Sequence, residues 1–455
     1  MWRATRIMPG MDTADALRST FIPHSVPFQV SRAEGAYLYT PEGRPVLDAA
    51  GGAIVGNIGY GREEVAEAAA QTLREIGYVL PTWVTPQKEA LVDRLQRSWL
   101  PAGITRASFV SGGSESVDAA VRLARQHHVC AGRPERWKVI GTDLSYHGVT
   151  LSGLSVGNHR PRRVGMDPLL YDMPKVPAPY SLEESQGRSE GTFLQKAAEE
   201  IERAILEAGP ETVAAFIAEP ITGSAGGAIV PPPGYWERAA EICRSYGVLL
   251  IADEVMTGFG RTGKRFGLEH EGVTPDILVS GKGLTGGYAP GGGVYATEDV
   301  VTPLAEAKQD LMFYTFAAHP MVLAVANKVL EIMEREALVE RAAKMGARLR
   351  ERLAELEDHP HVGEVRGRGL MLGVEFVKDR ETLERFPTEA RFAGKVVASA
   401  LERGVFFYPA GSGPVHDAVM LGPPFVITED DIDLMVDTLR AAIDEAAARV
   451  ASAAV

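Results

Sequence analysis

Residues 247–284 read GVLLIADEVMTGFGRTGKRFGLEHEGVTPDILVSGKGL. An apolar run, Val248 to Ala252, ends in the paired acids Asp253 and Glu254. A second run, Ile277 to Ser280, stops just short of Lys282. Both are short, rich in Leu and β-branched residues, and followed by turn residues, which is how buried parallel strands read. Ligands of open parallel sheets gather at the carboxyl ends of the strands. The stretch therefore predicts an α/β sheet with a carboxylate and a lysine at neighbouring strand ends, on one rim.

A buried Asp or Lys is costly unless it is paired or used. A structural ion pair is one reading of the two. The sharper one is that they form the protein half of pyridoxal phosphate (PLP) chemistry. There a carboxylate keeps a pyridine nitrogen protonated and a lysine forms a Schiff base. That lysine is a usable nucleophile only if its surroundings depress its pKa.

Upstream, residues 108–126 read SFVSGGSESVDAAVRLARQ. An apolar strand, Ala107 to Val110, meets Ser111-Gly112-Gly113-Ser114. Glu115 then opens an amphipathic helix with Val117, Ala120, Val121 and Leu123 on one face. Glycines let a backbone approach an anion closely, and a helix N-terminus presents free N–H groups under a favourable dipole. A Gly-Gly-Ser turn alone is usually just a turn. On a strand-turn-helix upstream of the Asp and the Lys, it reads as a phosphate cradle. Gly258, Gly260 and Gly263 have a nominal nucleotide-loop spacing, but no helix signal follows them, so Arg261 among them reads as structural.

Composition narrows the class. A chain of 455 residues defaults to two domains, and 45% hydrophobic with 24% charged residues is ordinary globular composition. Its net charge of −13 argues against a nucleic-acid or anionic-membrane surface. Two cysteines, Cys130 and Cys243, give no disulfide framework and fit a reducing cytosol. No apolar run reaches spanning length, and the first residues lack an apolar signal core, so a cytoplasmic location is expected. Residues 1–20 read as a loose arm. Residues 161–195, rich in Pro, Arg, Ser and Glu, read as a surface excursion with no assigned chemistry.

LLIADEVMTGFGRTG followed by PDILVSGKGLTGGYAPGGG resembles the signature of the class III (ω-) aminotransferases. Further matches run from about residue 20 to about residue 430. The resemblance implies PLP fold type I: a mostly parallel seven-stranded large-domain sheet with helices on both faces, plus a small α+β domain. On that pattern residues 1–60 start the small domain, 61–325 form the PLP-binding domain, and 326–455 complete the small domain.

The resemblance also implies roles. Lys282 carries the cofactor and Asp253 partners its ring nitrogen. Gly113 and Ser114 hold the phosphate. Tyr146 of the YHG triplet stacks on the ring and Val255 presses on the opposite face, with His147 supporting from behind. Glu219, at the end of the strand Val213 to Ala218, lies near the cofactor's hydroxyl face or merely organises its loop. Thr315, in TFAAHP, bonds the phosphate of the other subunit, which implies a homodimer or a tetramer built from it. Ile54 stands where many relatives have a Trp walling the pocket, and Trp83 reads as a rim residue lent to the partner. Tyr408 stands where many relatives carry a carboxylate-binding arginine, so either Tyr408 or His416 is expected to substitute, or the acceptor is not an ordinary 2-oxo acid. Arg366 or Arg368 is a weaker candidate for that task.

The implied activity is a PLP-dependent aminotransferase moving an amino group from an amine or ω-amino acid to a keto acid or aldehyde by a ping-pong mechanism. An aminomutase, a decarboxylating transaminase and a non-catalytic PLP-binding regulator remain as alternatives.

Overall fold

The computed structural model describes residues 28–187, 192–309 and 313–453. The expected N-terminal arm and residues 188–191 of the 161–195 excursion lie outside them. Fifteen strands among the described residues form three sheets. In chain order they are β1 (Arg32–Glu34), β2 (Tyr37–Tyr39), β3 (Pro45–Asp48), β4 (Ile104–Val110), β5 (Lys138–Thr142), β6 (Lys175–Val176), β7 (Val213–Ala218), β8 (Leu249–Asp253), β9 (Ile277–Ser280), β10 (Gly292–Thr297), β11 (Val362–Arg368), β12 (Met371–Phe376), β13 (Val405–Phe406), β14 (Tyr408–Ser412) and β15 (Val415–Leu421). The helices that matter here are α1 (Glu63–Glu75), α2 (Gly113–Cys130), α3 (Tyr235–Tyr246), α4 (Pro320–Arg335), α5 (Leu338–Ala354) and α6 (Glu429–Ala453).

The central sheet has seven strands in the order β4-β10-β9-β8-β7-β5-β6. All pairs are parallel except those of β10, which runs antiparallel to β4 and β9. Strands β5 and β7–β10 are buried on both faces, so their side chains alternate between two cores rather than between core and water. Ala215, Ile217 and Ile251 meet Val117, Ala120 and Leu123 of α2 on one face. Phe216, Leu250 and Ala252 meet Tyr235, Trp236 and Ile242 of α3 on the other. Helices on both faces of a mostly parallel seven-stranded sheet are what the sequence predicts.

A second sheet, β1-β2-β3-β13, joins distant parts of the chain: β13 runs parallel to β3, with Val405 opposite Leu47. The third, β11-β12-β15-β14, is antiparallel throughout. Phe407, fully buried, lies between β13 and β14 and marks the point where the chain passes from the second sheet to the third.

The helical stretch from Pro320 to Ala354 breaks at Ala337, whose φ of +48° turns the chain between α4 and α5. The break lets Leu330 and Met333 of α4 and Met345 and Leu349 of α5 reach one core, which a straight helix would carry apart.

Candidate active site

Asp253 is the last residue of β8 and pairs with Val279 of β9, three residues before Lys282. That register sets the two side chains on one rim, and both open onto the same cavity. The cavity is about 150 Å³ and is lined by Gly113, Ser114, Val117, Tyr146, His147, Gly148, Glu219, Asp253, Val255, Met256 and Lys282. One buried water needs only ~10–15 Å³, so the space suits a small organic group.

Asp253 is almost fully buried, and neither oxygen is idle. Oδ1 accepts from the Val255 N–H at 3.0 Å, and Oδ2 accepts from His147 Nδ1 at 2.7 Å. Since the carboxylate accepts, Nδ1 carries the proton. His147 Nε2 is buried without a partner among the described residues. His147 thus holds Asp253 in place through Nδ1.

Lys282 sits at a φ of +30°, a region that a residue with a Cβ rarely adopts and that functional sites tend to retain. Its Nζ donates to the Ala53 carbonyl at 2.8 Å. Burial pulls its pKa down to about 8, against the opposing pull of Glu219 and Asp253. The ammonium is therefore destabilised where a neutral, nucleophilic amine is wanted.

Glu219 organises its loop and also lines the cavity. Oε1 accepts from the Tyr146 N–H at 3.0 Å and Oε2 from the Gly223 N–H at 2.8 Å, so it ties two loops together, and it also lines the cavity. Burial pushes its pKa up to about 7. Glu254 points away from the cavity, to the Gly267 and Leu268 N–H groups and the Thr257 hydroxyl, which makes it structural.

The α2 N-terminus fits an anion. Gly112 offers no side-chain cap, so the first N–H groups of an 18-residue helix lack an internal partner. The turn is tight: a Cβ on Gly113 would meet Val255 at 2.8 Å, and one on Gly148, at φ +93°, would meet Ser114 Oγ at 2.5 Å. Ser114 Oγ accepts from the Val149 N–H at 3.3 Å, leaving its proton to donate. An anion cradle, a buried carboxylate that calls for a cation, and a pKa-depressed lysine on one small cavity are the donor set that PLP requires.

The remaining candidates lie around this cavity or beyond it. Ile54, adjacent to the carbonyl that receives Lys282, is buried in an apolar cluster with Tyr146, Met256, Phe406 and Tyr408. Trp83 is exposed and Thr315 is exposed, with its carbonyl accepting from the Tyr78 hydroxyl at 3.0 Å; neither lines the cavity of its own chain. Arg366 is committed to the carbonyls of Gly226 and Gly227 and to Glu364 and Glu375, and Arg368 to Glu271. His416 is turned to the Phe386 carbonyl. Arg261 is structural as expected, donating to the carbonyls of Gly56, Leu370 and Pro423. Sequence reasoning assigned no role to Met256 or the Ala53 carbonyl, and placed Val117 only on the apolar face of its helix. Their contribution to the cavity depends on segments meeting in space, which no local spacing announces. Gly148 was signalled by the YHG triplet.

Comparison with known proteins covers the same stretch of chain. The family model described as "Aminotransferase class-III" matches residues 22–443. A putrescine–pyruvate aminotransferase of Pseudomonas aeruginosa is 37% identical over 423 residues, covering 92% of this chain and 91% of its own. A diaminobutyrate–2-oxoglutarate transaminase of Halomonas elongata is 34% identical, covering 91% and 90%. Among solved structures, a thermostable (S)-enantioselective ω-transaminase from Thermomicrobium roseum superposes with a TM-score of 0.87 at 36% identity, covering 97% of this chain and 96% of the other.

Proposed function

The chain belongs to the class III aminotransferases and is a PLP-dependent transaminase; on that premise we propose that it takes the amino group of a terminal amine or ω-amino acid and passes it to a 2-oxo acid. The observation that carries this reading is the cavity onto which Lys282 and Asp253 both open, with an apolar wall of Ile54, Met256, Phe406 and Tyr408 beside it. That wall suits an aliphatic substrate stem. Relatives named for putrescine with pyruvate and for diaminobutyrate with 2-oxoglutarate support the same donor and acceptor classes.

The protein's share of the chemistry follows from the residues. Gly113 and Ser114 would receive the cofactor phosphate at the α2 N-terminus, Tyr146 and Val255 would bracket its ring, and Asp253 would face its ring nitrogen. The bound cofactor supplies an electrophilic carbon and a sink for negative charge. Asp253, aimed by His147, holds positive charge on that nitrogen. Lys282 Nζ, neutral above about pH 8, would take the proton from the substrate carbon that bears nitrogen and would deliver it to the cofactor's electrophilic carbon, so that the substrate leaves as a carbonyl. Glu219 keeps the Tyr146 loop and the Gly223 loop in register beside it.

The active unit is a homodimer. Tyr78, Trp83, Val84, Phe313 and Phe316 are all exposed, and Tyr78 meets Phe316 edge-on at 6.2 Å. Apolar side chains that gather at a surface mark contact sites. Thr315 lies among them, as the expected reach to a partner's phosphate requires. The domain boundaries at about residues 60 and 325 are part of the same reading. So is a reducing, cytosolic setting, which two free cysteines suit; among the described residues no helix is long and apolar enough to cross a membrane.

The test is product analysis with PLP-loaded protein. Aliphatic diamines and ω-amino acids are offered with pyruvate or 2-oxoglutarate, and both products are quantified. Expected are equimolar carbonyl product and alanine or glutamate, with parallel double-reciprocal lines. An isomerised amine formed without a second carbonyl, or release of carbon dioxide, would overturn the donor and acceptor assignment.

A further inference from the structure

A second cavity opens beside the first. His159, Pro161, Arg162, Ser224, Phe406 and Tyr408 are among its lining residues. It adjoins the Lys282 cavity through Tyr146, whose ring meets that of His159 edge-on at 5.6 Å and which shares an apolar cluster with Phe406 and Tyr408. Arg162 comes from the short helix Arg160–Arg163, at the start of the excursion that the sequence left without chemistry.

Three polar groups on this cavity make no hydrogen bond or ion pair among the described residues: the Arg162 guanidinium, the Tyr408 hydroxyl and the Ser224 hydroxyl. His159 Nδ1 is buried without a partner among the described residues. The cavity has no carboxylate in its lining. The neighbouring arginines differ. Arg163 is held by the Gly157 carbonyl and Asp167, and Arg160 lines a separate cavity together with Asp143. Arg261, Arg366 and Arg368 are occupied as described above. Arg162 is thus an uncompensated cation beside unpaired hydroxyl donors, close enough for its charge to act on Tyr146.

We propose that Arg162, with the hydroxyls of Tyr408 and Ser224, binds the carboxylate of the substrate, and so does the work that an arginine at position 408 would otherwise do. This rests on the amino-transfer reading and extends it. The guanidinium fork matches a carboxylate in two places, and Tyr408 contributes a third donor from β14. Phe406 and Val397 give the carbon stem an apolar wall. A neutral substrate leaves Arg162 to solvent at little cost. The site therefore prefers acids without excluding plain amines and aldehydes.

The test uses PLP-loaded wild type, Arg162→Met and Arg162→Lys. Binding of 3-phenylpropanoate and of its neutral amide is measured by calorimetry, independently of turnover. The preference for pyruvate over propanal is measured as a ratio of kcat/KM. Loss of one charge-assisted pair predicts about a tenfold or greater fall in both carboxylate preferences in Arg162→Met, with partial return in Arg162→Lys. Preferences in Arg162→Met that match wild type would overturn the proposal. So would a loss shared equally by acid and neutral ligands. Failure of every acceptor with wild type would overturn the amino-transfer reading, and the calorimetric arm would still decide the role of Arg162.

Discussion

At the scale of single residues, Lys282 combines two costs: an unfavourable φ and a depressed pKa. Both have a measurable signature. In the cofactor-free chain, acetylation of Lys282 by acetic anhydride, followed by mass spectrometry, should rise with a midpoint at about pH 8. Exposed lysines should follow their ordinary value, about 10.4. Between those two values the unfolded chain holds a proton that the folded chain lacks, so this group makes stability increase with pH across that window. Lys282→Met should remove that part of the increase in denaturant titrations, along with all multi-turnover transfer. Gly148 gives a second prediction. Gly148→Ala places a Cβ against Ser114 at a φ of +93°. The left-handed backbone alone costs about 1–2 kcal/mol, which is roughly a tenfold loss if it falls on cofactor binding. Equilibrium dialysis against PLP measures it.

At the scale of elements, Arg261 matters most. It leaves the loop after β8 and donates to the carbonyls of Gly56, Leu370 and Pro423, with its guanidinium 4.6 Å from the Phe425 ring. Three segments far apart in sequence are fastened to the loop that follows Asp253. One ammonium cannot serve three carbonyls in a fork, so Arg261→Lys should cost about 2–4 kcal/mol through carbonyls left unpaired. Chemical-denaturation midpoints, with and without PLP, measure it. The central elements were legible in the sequence because buried strands such as VAAFIA and LLIAD carry their own signal. The strand Val213–Ala218 forms as expected, and the strand expected at Val248–Ala252 forms one residue later, as Leu249–Asp253. The break at Ala337 was not legible, because nothing local in EREALVE forbids a helix. It arises from where the two flanking stripes must pack.

At the scale of the whole molecule, the dimer reading makes a prediction that no single chain can mimic. In a mixed dimer of Lys282→Ala and Thr315→Ala chains, one site has a wild-type lysine and receives a wild-type threonine from its partner. Mixing the two impaired variants under conditions of subunit exchange should restore activity that neither has alone. No gain on mixing would place Thr315 outside the partner's site. Sedimentation of the wild type should give a dimer, and Phe316→Asp should shift it toward monomer, since a charge in an apolar contact is costly.

The sequence by itself determined the central sheet, the rim bearing Asp253 and Lys282, and the glycine turn opposite. Each is written in a continuous stretch whose hydrophobic period and terminal residues carry the information. The tertiary structure decided what those residues meet. That His147 aims Asp253, that Lys282 reaches the Ala53 carbonyl, and that Arg162 lies unpaired beside Tyr408 all depend on loops brought together across more than a hundred residues of chain. Local spacing encodes which face a side chain takes. Only packing encodes which distant side chain shares it.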